Sequence, residues 1–167
     1  MNFNEIYWKY YPELFRFAIQ LKVKETDCND LVQEVFTRYL SERYKGKKPP
    51  EQLRAWLYKV LLNRVRDNYK RLQYSKKAEA EFKHTGMKHV DEQALLLQRE
   101  KKERMFAMLD QLPEREKSVL LFYHNGLSYA EIADIMEINP NTVGTLIARS
   151  LGKLKEQLKK QYHELFE

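Results

Sequence analysis

The chain has 167 residues, 30 lysines and arginines against 24 acids, a net charge of +6 and a pI near 9.2; such a basic excess points to a polyanionic partner, nucleic acid first. The single Cys28 excludes an internal disulfide and suits a reducing cytoplasm. No apolar run nears the ~20 residues of a membrane-spanning helix, and the opening MNFNEIYWKYYPE lacks the charged-then-apolar order of a signal peptide.

Only five glycines and five prolines interrupt a chain whose apolar residues fall at helical spacing almost throughout. An all-α protein of two small helical domains is therefore expected. The first stripe is Phe3, Tyr7, Tyr10, Leu14, Phe17 and Leu21, with Pro12 expected to kink the helix or to begin its second part. These aromatics read as core.

A second helix is expected in TDCNDLVQEVFTRYLSER, capped by Asp27. Leu31, Val32, Val35, Phe36 and Tyr39 turn inward at helical spacing, which leaves Asp30, Gln33, Glu34 and Thr37 on or beside the outer face. An acidic patch on a basic protein is better suited to a protein partner than to DNA, although on its own it reads first as a solvated helix face.

Between Arg43 and Lys77 the charge reverses: twelve lysines and arginines face only Glu51 and Asp67, a net of +10, so the rest of the chain is net acidic. RYKGKKPPEQ reads as a loop from its glycine and paired prolines. LRAWLYKVLLNRVRDNYKRLQ reads as a helix with Trp56 and Val60 inward and Lys59, Asn63, Arg66 and Lys70 forming one polar stripe. A lysine-rich loop leading into a basic helix with aromatics nearby suits single-stranded or distorted nucleic acid, whose phosphates need neutralising while its bases stack.

From Tyr74 to Val90 the periodicity fades, and the segment reads as a linker. Its His84 and His89 have no cysteine or carboxylate partners at ligand spacing, so no metal or other cofactor is expected. Asp91 can cap a helix running to Leu112, to which Leu95, Met105, Met108, Leu109 and Leu112 give apolar surface; Pro113 then starts another with Val119, Leu120 and Phe122 as core, stopped by Gly126.

The run LSYAEIADIMEINPNTVGTLIARSLGKLKEQL carries two helix starts in quick succession. Ser128 and Glu131 form a capping box, with Leu127 and Ile132 as its staple. Asn139 is placed to cap a second helix that has Pro140 in its first position. The pair reads as a helix-turn-helix. Val143, Ile147, Leu151, Leu154 and Leu158 are expected inward, leaving Asn141, Thr145, Ala148, Arg149 and Gly152 outward. Small and polar side chains with one arginine suit a helix lying close to the major groove.

Three of these runs resemble one family in order and spacing. DCNDLVQEVF (27–36) is similar to the Asp-Ala-Glu-Asp-Leu-Val-Gln-Glu-Val-Phe pattern of region 2 of the sigma-70 family. RAWLYKVLLNRVRDNYKR (54–71) resembles the Trp-Leu…Asn…Asp-Tyr-x-Arg segment that follows it, and residues 109–154 resemble region 4. The absence of other regions matches the small extracytoplasmic-function sigma factors. The resemblance implies region 2 at 1–73, a linker at 74–90 and region 4 at 91–167, in a dissociable, non-enzymatic subunit that binds core RNA polymerase and directs promoter-specific initiation.

By motif, the resemblance implies that Asp30, Gln33 and Glu34 face the polymerase clamp and that the Arg43 to Gln52 loop takes a flipped promoter base. Lys59, Asn63, Arg66 and Lys70 would hold the adjoining DNA. Asn139, Asn141, Thr142, Thr145 and Arg149 would contact the minus-35 element while region 4 packs on the polymerase flap. An anti-sigma factor is a candidate further partner. One departure stands out: family recognition helices commonly read Thr-Val-Lys-Ser-Arg, whereas here the residues are Thr142, Val143, Gly144, Thr145 and Leu146. Two long basic readers are missing, so close backbone approach, thymine-methyl contact and DNA shape carry more of the specificity. The rival reading is a free-standing helix-turn-helix regulator, which explains 109–158 but gives no role to the acidic helix or the basic stripe.

Overall fold

A computed structural model describes residues 2–47, 51–76 and 103–166. Every regular element among them is an α-helix, as the spacing predicts. In chain order they are α1 (Phe3–Gln20), α2 (Glu25–Tyr44), α3 (Leu53–Lys76), α4 (residues 103–110), α5 (Glu114–His124), α6 (Tyr129–Met136) and α7 (Pro140–Phe166). The expected linker beyond Lys76, with His84 and His89, and the Asp91 cap and Leu95 lie outside the described residues. No helix among those described is long and apolar enough to cross a membrane.

The helices pack as two compact units. The first gathers α1, α2 and α3 with residues 121–140; the second gathers α4, α5 up to Leu120 and α7 from Asn141 onward. This grouping by contact crosses α5, something that the order of motifs along the chain does not express.

In the first unit, α1 starts on a capping box not anticipated from the sequence. The Glu5 amide donates to Asn2 Oδ1 at 2.9 Å, while the Asn2 amide donates to Glu5 Oε2 at 3.0 Å. Pro12 neither ends nor restarts the helix, because α1 runs continuously through it. The helix buries Ile6, Tyr10, Leu14, Phe17 and Ala18, whereas Phe3 and Tyr7 are only half-buried. Tyr7 still packs its ring 4.8 Å from that of Phe36 on α2.

The cap of α2 also differs from expectation. Lys24 occupies the cap position without a side-chain capping hydrogen bond, and Asp27 sits in the first turn, where its charge favours the amino-terminal end of the helix. The inward set is as expected: Leu31, Val32, Val35, Phe36 and Tyr39 are buried, together with Cys28. Helix α3 buries Ala55, Leu57, Tyr58, Val60, Leu61, Leu62 and Val65 against them, while Trp56 is half-buried with its ring 6.1 Å from Tyr39.

Three rings meet at the centre of this unit. Phe17 lies 4.8 Å from Tyr58 and 5.5 Å from Phe122, in the tilted arrangements that aromatic quadrupoles favour. Burial first, then the Glu13 charge, pushes the Tyr58 hydroxyl up to about 12. At the far end, Tyr69 donates to the Leu21 carbonyl at 2.9 Å, fastening α3 to the end of α1.

The second unit is built around Met108, Leu109, Leu112, Val119 and Leu120 with Val143, Ile147 and Leu154. Met105 departs from the expected apolar set and is 47% exposed. Pro113 does not begin α5 but precedes it, its carbonyl accepting from the Glu116 and Lys117 amides at 2.9 and 3.0 Å. Gly126 ends α5 as expected. Its φ of 72° lets the Leu127 amide reach back to the Phe122 carbonyl at 3.2 Å, a turn that a β-carbon would strain.

Burial also governs Cys28. Desolvation, then the charges of Asp27 and Glu25, pushes its thiol up to about 11, so the thiolate is scarce at pH 8. Labelling by a disulfide reagent at pH 8 should run roughly a hundredfold slower in the native protein than in urea, from ionisation alone. Equal rates in both states would contradict the buried placement.

Candidate nucleic-acid and polymerase interface

Each expected surface traces to the period of its helix. On α2, Asp30, Gln33 and Glu34 are all exposed, opposite the buried Leu31, Val32 and Val35. Glu34 is also engaged inside the chain, with Arg64 Nε on α3 at 3.2 Å from its Oε2. Both side chains are about half-exposed, so this pair contributes at most about 1 kcal/mol. In the loop after α2, Gly46 takes a φ of 76° and Arg43 donates to the Lys47 carbonyl at 3.0 Å. Lys48, Pro49 and Pro50 of the expected base-binding loop lie outside the described residues.

On α3 the stripe divides. Asn63, Arg66 and Lys70 are exposed, but Lys59 is half-buried and donates to Glu137 Oε1 at 2.8 Å. That hydrogen bond, together with the lysine charge, holds the Glu137 carboxyl below its usual range. Arg54, five residues before Lys59 and absent from the expected site, makes a denser set of contacts. Its Nε donates to Glu13 Oε2 at 2.9 Å, Nη1 to the Gly126 carbonyl at 2.9 Å and Nη2 to the Asn125 carbonyl at 2.8 Å. Burial works against its charge, but the Glu13 hydrogen bond and charge outweigh burial and raise its affinity for the proton. The two carbonyls lie at the carboxy-terminal end of α5, where the helix dipole favours a cation.

The helix-turn-helix has the expected local frame. The Ser128 amide donates to Glu131 Oε2 at 2.8 Å, the Glu131 amide donates to Ser128 Oγ at 3.2 Å, and both Leu127 and Ile132 are buried. Glu137 in the left-handed region, with φ of 55°, ends α6 and turns the chain, and Pro140 then opens α7. Asn139, Asn141, Thr142, Thr145, Ala148, Arg149 and Gly152 are all exposed.

The inward side of α7 needs one correction. Val143, Ile147 and Leu154 are buried, but Leu151 is 48% and Leu158 36% exposed. Ser150 takes the inward place and satisfies its hydroxyl by donating to the Leu146 carbonyl at 2.7 Å. Seven residues bring a helix back to within about 20° of its starting direction, whereas eight overshoot by about 80°. Position 150, not 151, therefore continues the line from Val143.

Two further residues lie beside Arg149. Glu116 on α5 is buried, and its Oε1 lies 2.7 Å from Lys153 Nζ and 3.4 Å from Arg149 Nη2. The signal was available, since position 116 precedes the inward Val119 and Leu120 by three and four residues, which puts it on their face.

Gly152 provides a test of this surface. A β-carbon built there meets nothing within 4 Å, so Gly152→Ala should stabilise the protein by about 1 kcal/mol in urea unfolding. If α7 meets DNA, as the resemblance implies, weaker duplex binding in the same variant marks a place where DNA needs the bare backbone. Unchanged binding rules out close approach at this position.

Comparison with known proteins bears on the two surfaces together. The Sigma-70 region 2 model matches residues 6–74, and the Sigma-70 region 4 model matches residues 102–154. The chain is 30% identical over 149 residues to the ECF RNA polymerase sigma factor EcfG of Rhodopseudomonas palustris (strain TIE-1), covering 88% of this chain and 80% of that protein. It is 28% identical over 154 residues to the RNA polymerase sigma factor SigV of Bacillus subtilis (strain 168), covering 89% and 86%. The fold is similar to that of the sigma factor RpoE in complex with the anti-sigma factor NepR from Bartonella quintana, with a TM-score of 0.70, 22% identity and coverage of 94% and 96%. It is also similar to CnrH in complex with the cytosolic domain of CnrY, with a TM-score of 0.70, 23% identity and coverage of 95% and 88%. A free-standing helix-turn-helix regulator leaves the region 2 match unexplained; the chain belongs to the extracytoplasmic-function sigma factors of the sigma-70 family, which direct transcription initiation.

Proposed function

We propose that this sigma factor divides its work between an acidic face that docks on core RNA polymerase and two polar faces that hold promoter DNA. The observation that carries the reading is the separation of charge on adjacent helices: Asp30 and Glu34 are exposed on α2, whereas Asn63, Arg66 and Lys70 are exposed on α3. In this reading residues 1–73 act as region 2, 74–90 as a linker and 91–167 as region 4. Asp30, Gln33 and Glu34 meet the polymerase clamp. Asn63, Arg66 and Lys70, with Lys59 once it is released from Glu137, grip DNA beside the melted segment. Asn139, Asn141, Thr142, Thr145 and Arg149 contact the minus-35 element, while region 4 also packs on the flap. The polymerase makes the phosphodiester bonds, and no catalytic role falls to this chain. The protein works in the cytoplasm. An anti-sigma partner is supported by solved sigma factors of similar fold that are bound to such partners.

The Glu34 to Arg64 pair makes the docking test sharper. Reversing Asp30 and Glu34 to lysine should weaken binding to core polymerase by about 3 kcal/mol, roughly a hundredfold, because repulsion replaces attraction at an interface. Helicity should stay near that of the wild type. Exchanging the charges of the pair, Glu34→Lys with Arg64→Glu, restores the internal contact but not a clamp contact. Recovery of wild-type affinity in the exchange variant would reduce Glu34 to an internal role, and wild-type affinity in the double lysine variant would remove the acidic face from docking.

A separate measurement addresses strand opening. Arg66→Ala with Lys70→Ala should depress open-complex formation more on duplex promoter than on a pre-melted template. Equal loss on both templates indicates a general binding defect.

A further inference from the structure

We propose that Glu116 is a positioning residue for promoter recognition: from its buried place on α5 it aligns Arg149 on the outer face of α7, while Lys153 neutralises it. The proposal rests on the reading above, in which Arg149 meets minus-35 DNA, and extends it to residues that the motifs do not assign. Three features of the second unit support it. The Glu116 side chain is only 5% exposed, an unusual position for a carboxylate beside the buried Val119 and Leu120. Two cations, four residues apart on α7 and so on one face, converge on a single oxygen: Lys153 Nζ at 2.7 Å from Oε1 and Arg149 Nη2 at 3.4 Å. The other oxygen, Oε2, is buried and has no hydrogen-bond partner.

A group that served only to hold α5 against α7 would be poorly designed in this way. An apolar side chain at position 116 would extend the core without burying a charge or leaving an oxygen unsatisfied. The arrangement makes better sense as orientation. Lys153, at the shorter distance and with its side chain 38% exposed, takes most of the carboxylate charge. Arg149 is then held by one end of its guanidinium with its side chain still 67% exposed. A guanidinium has five N–H donors, so those not turned to Glu116 can meet a phosphate or a base edge. One carboxylate between two cations leaves a net positive charge at the surface. An arginine held near its bound geometry loses less side-chain entropy on binding than a free one.

The sign of the charge effect makes the proposal testable. Glu116→Gln removes a negative charge beside a DNA-binding face, so electrostatics alone would tighten binding; loss of orientation weakens it. Affinity for a promoter duplex carrying the minus-35 element is measured with full-length protein assembled on core polymerase, for wild type, Glu116→Gln, Arg149→Ala and the double variant. Thermal unfolding and helicity are recorded for each. Glu116→Gln is expected to weaken binding by between roughly 2-fold and 150-fold, the span of coupling between residues in contact. It should cost nothing further once Arg149 is alanine, and Glu116→Asp should recover part of the loss. If Glu116→Gln does not fold, Glu116→Asp is carried through the same cycle with Arg149→Ala. Tighter or unchanged binding in a folded Glu116 variant overturns the positioning role while leaving the Arg149 contact intact. An equal loss with and without Arg149 overturns it too, since that marks a purely structural group. No effect of Arg149→Ala by itself removes the DNA contact on which the proposal rests.

Discussion

A charge taken out of water must find its partners inside the fold, and that constraint shapes both units. In the first, the guanidinium of Arg54, about three-quarters buried, is met by Glu13 and by the carbonyls of Asn125 and Gly126. In the second, the carboxylate of Glu116 is met by Lys153 and Arg149. Neither group could be placed where it is without those partners already in position. Each therefore ties distant parts of the chain to one another more strictly than apolar packing would, because a hydrophobic contact tolerates sliding and a buried ion does not.

Around these points the apolar packing is conventional. Phe17, Tyr58 and Phe122 bring α1, α3 and the end of α5 into a single aromatic cluster. The core leaves the outer faces of the helices largely independent of stability. That independence is what allows neighbouring helices of one small protein to carry opposite charges. The α2 face is acidic and the α3 stripe basic, and Glu34 meets Arg64 between them. On the function proposed above, one face meets a protein and the other a polyanion, and separation of this kind would keep either partner from masking the surface of the other.

The contact between Lys59 and Glu137 shows how the stripe can be graded. The exposed positions Asn63, Arg66 and Lys70 continue it, while Lys59 is held by a carboxylate. Glu137 also turns the chain between α6 and α7 through its left-handed backbone. One residue thus serves the local geometry of the helix-turn-helix and the charge of α3.

What the sequence by itself determined is whatever depends on residues within a turn or two of one another. The Ser128 and Glu131 capping box, the Gly126 stop, the inward faces of α2 and α3 and the outward set of α7 are all of this kind, because caps and helical faces are decided by spacings of three and four. The runs at 27–36, 54–71 and 109–154 carried the family in the same local way. Even here small errors grew with distance: a step of eight in place of seven put Leu151 inward where Ser150 lies. Apolar type also outweighed period in that choice, since a serine on the inward line is acceptable only when its hydroxyl can reach a carbonyl one turn back. What only the tertiary structure decided is which charges meet. Arg54 finds Asn125 across 71 residues, Lys59 finds Glu137 across 78 and Glu116 finds Lys153 across 37. Ion pairs carry no periodic signature, and any of the chain's many lysines, arginines and acids is chemically able to form them. Only the packing of the helices chooses among those partners.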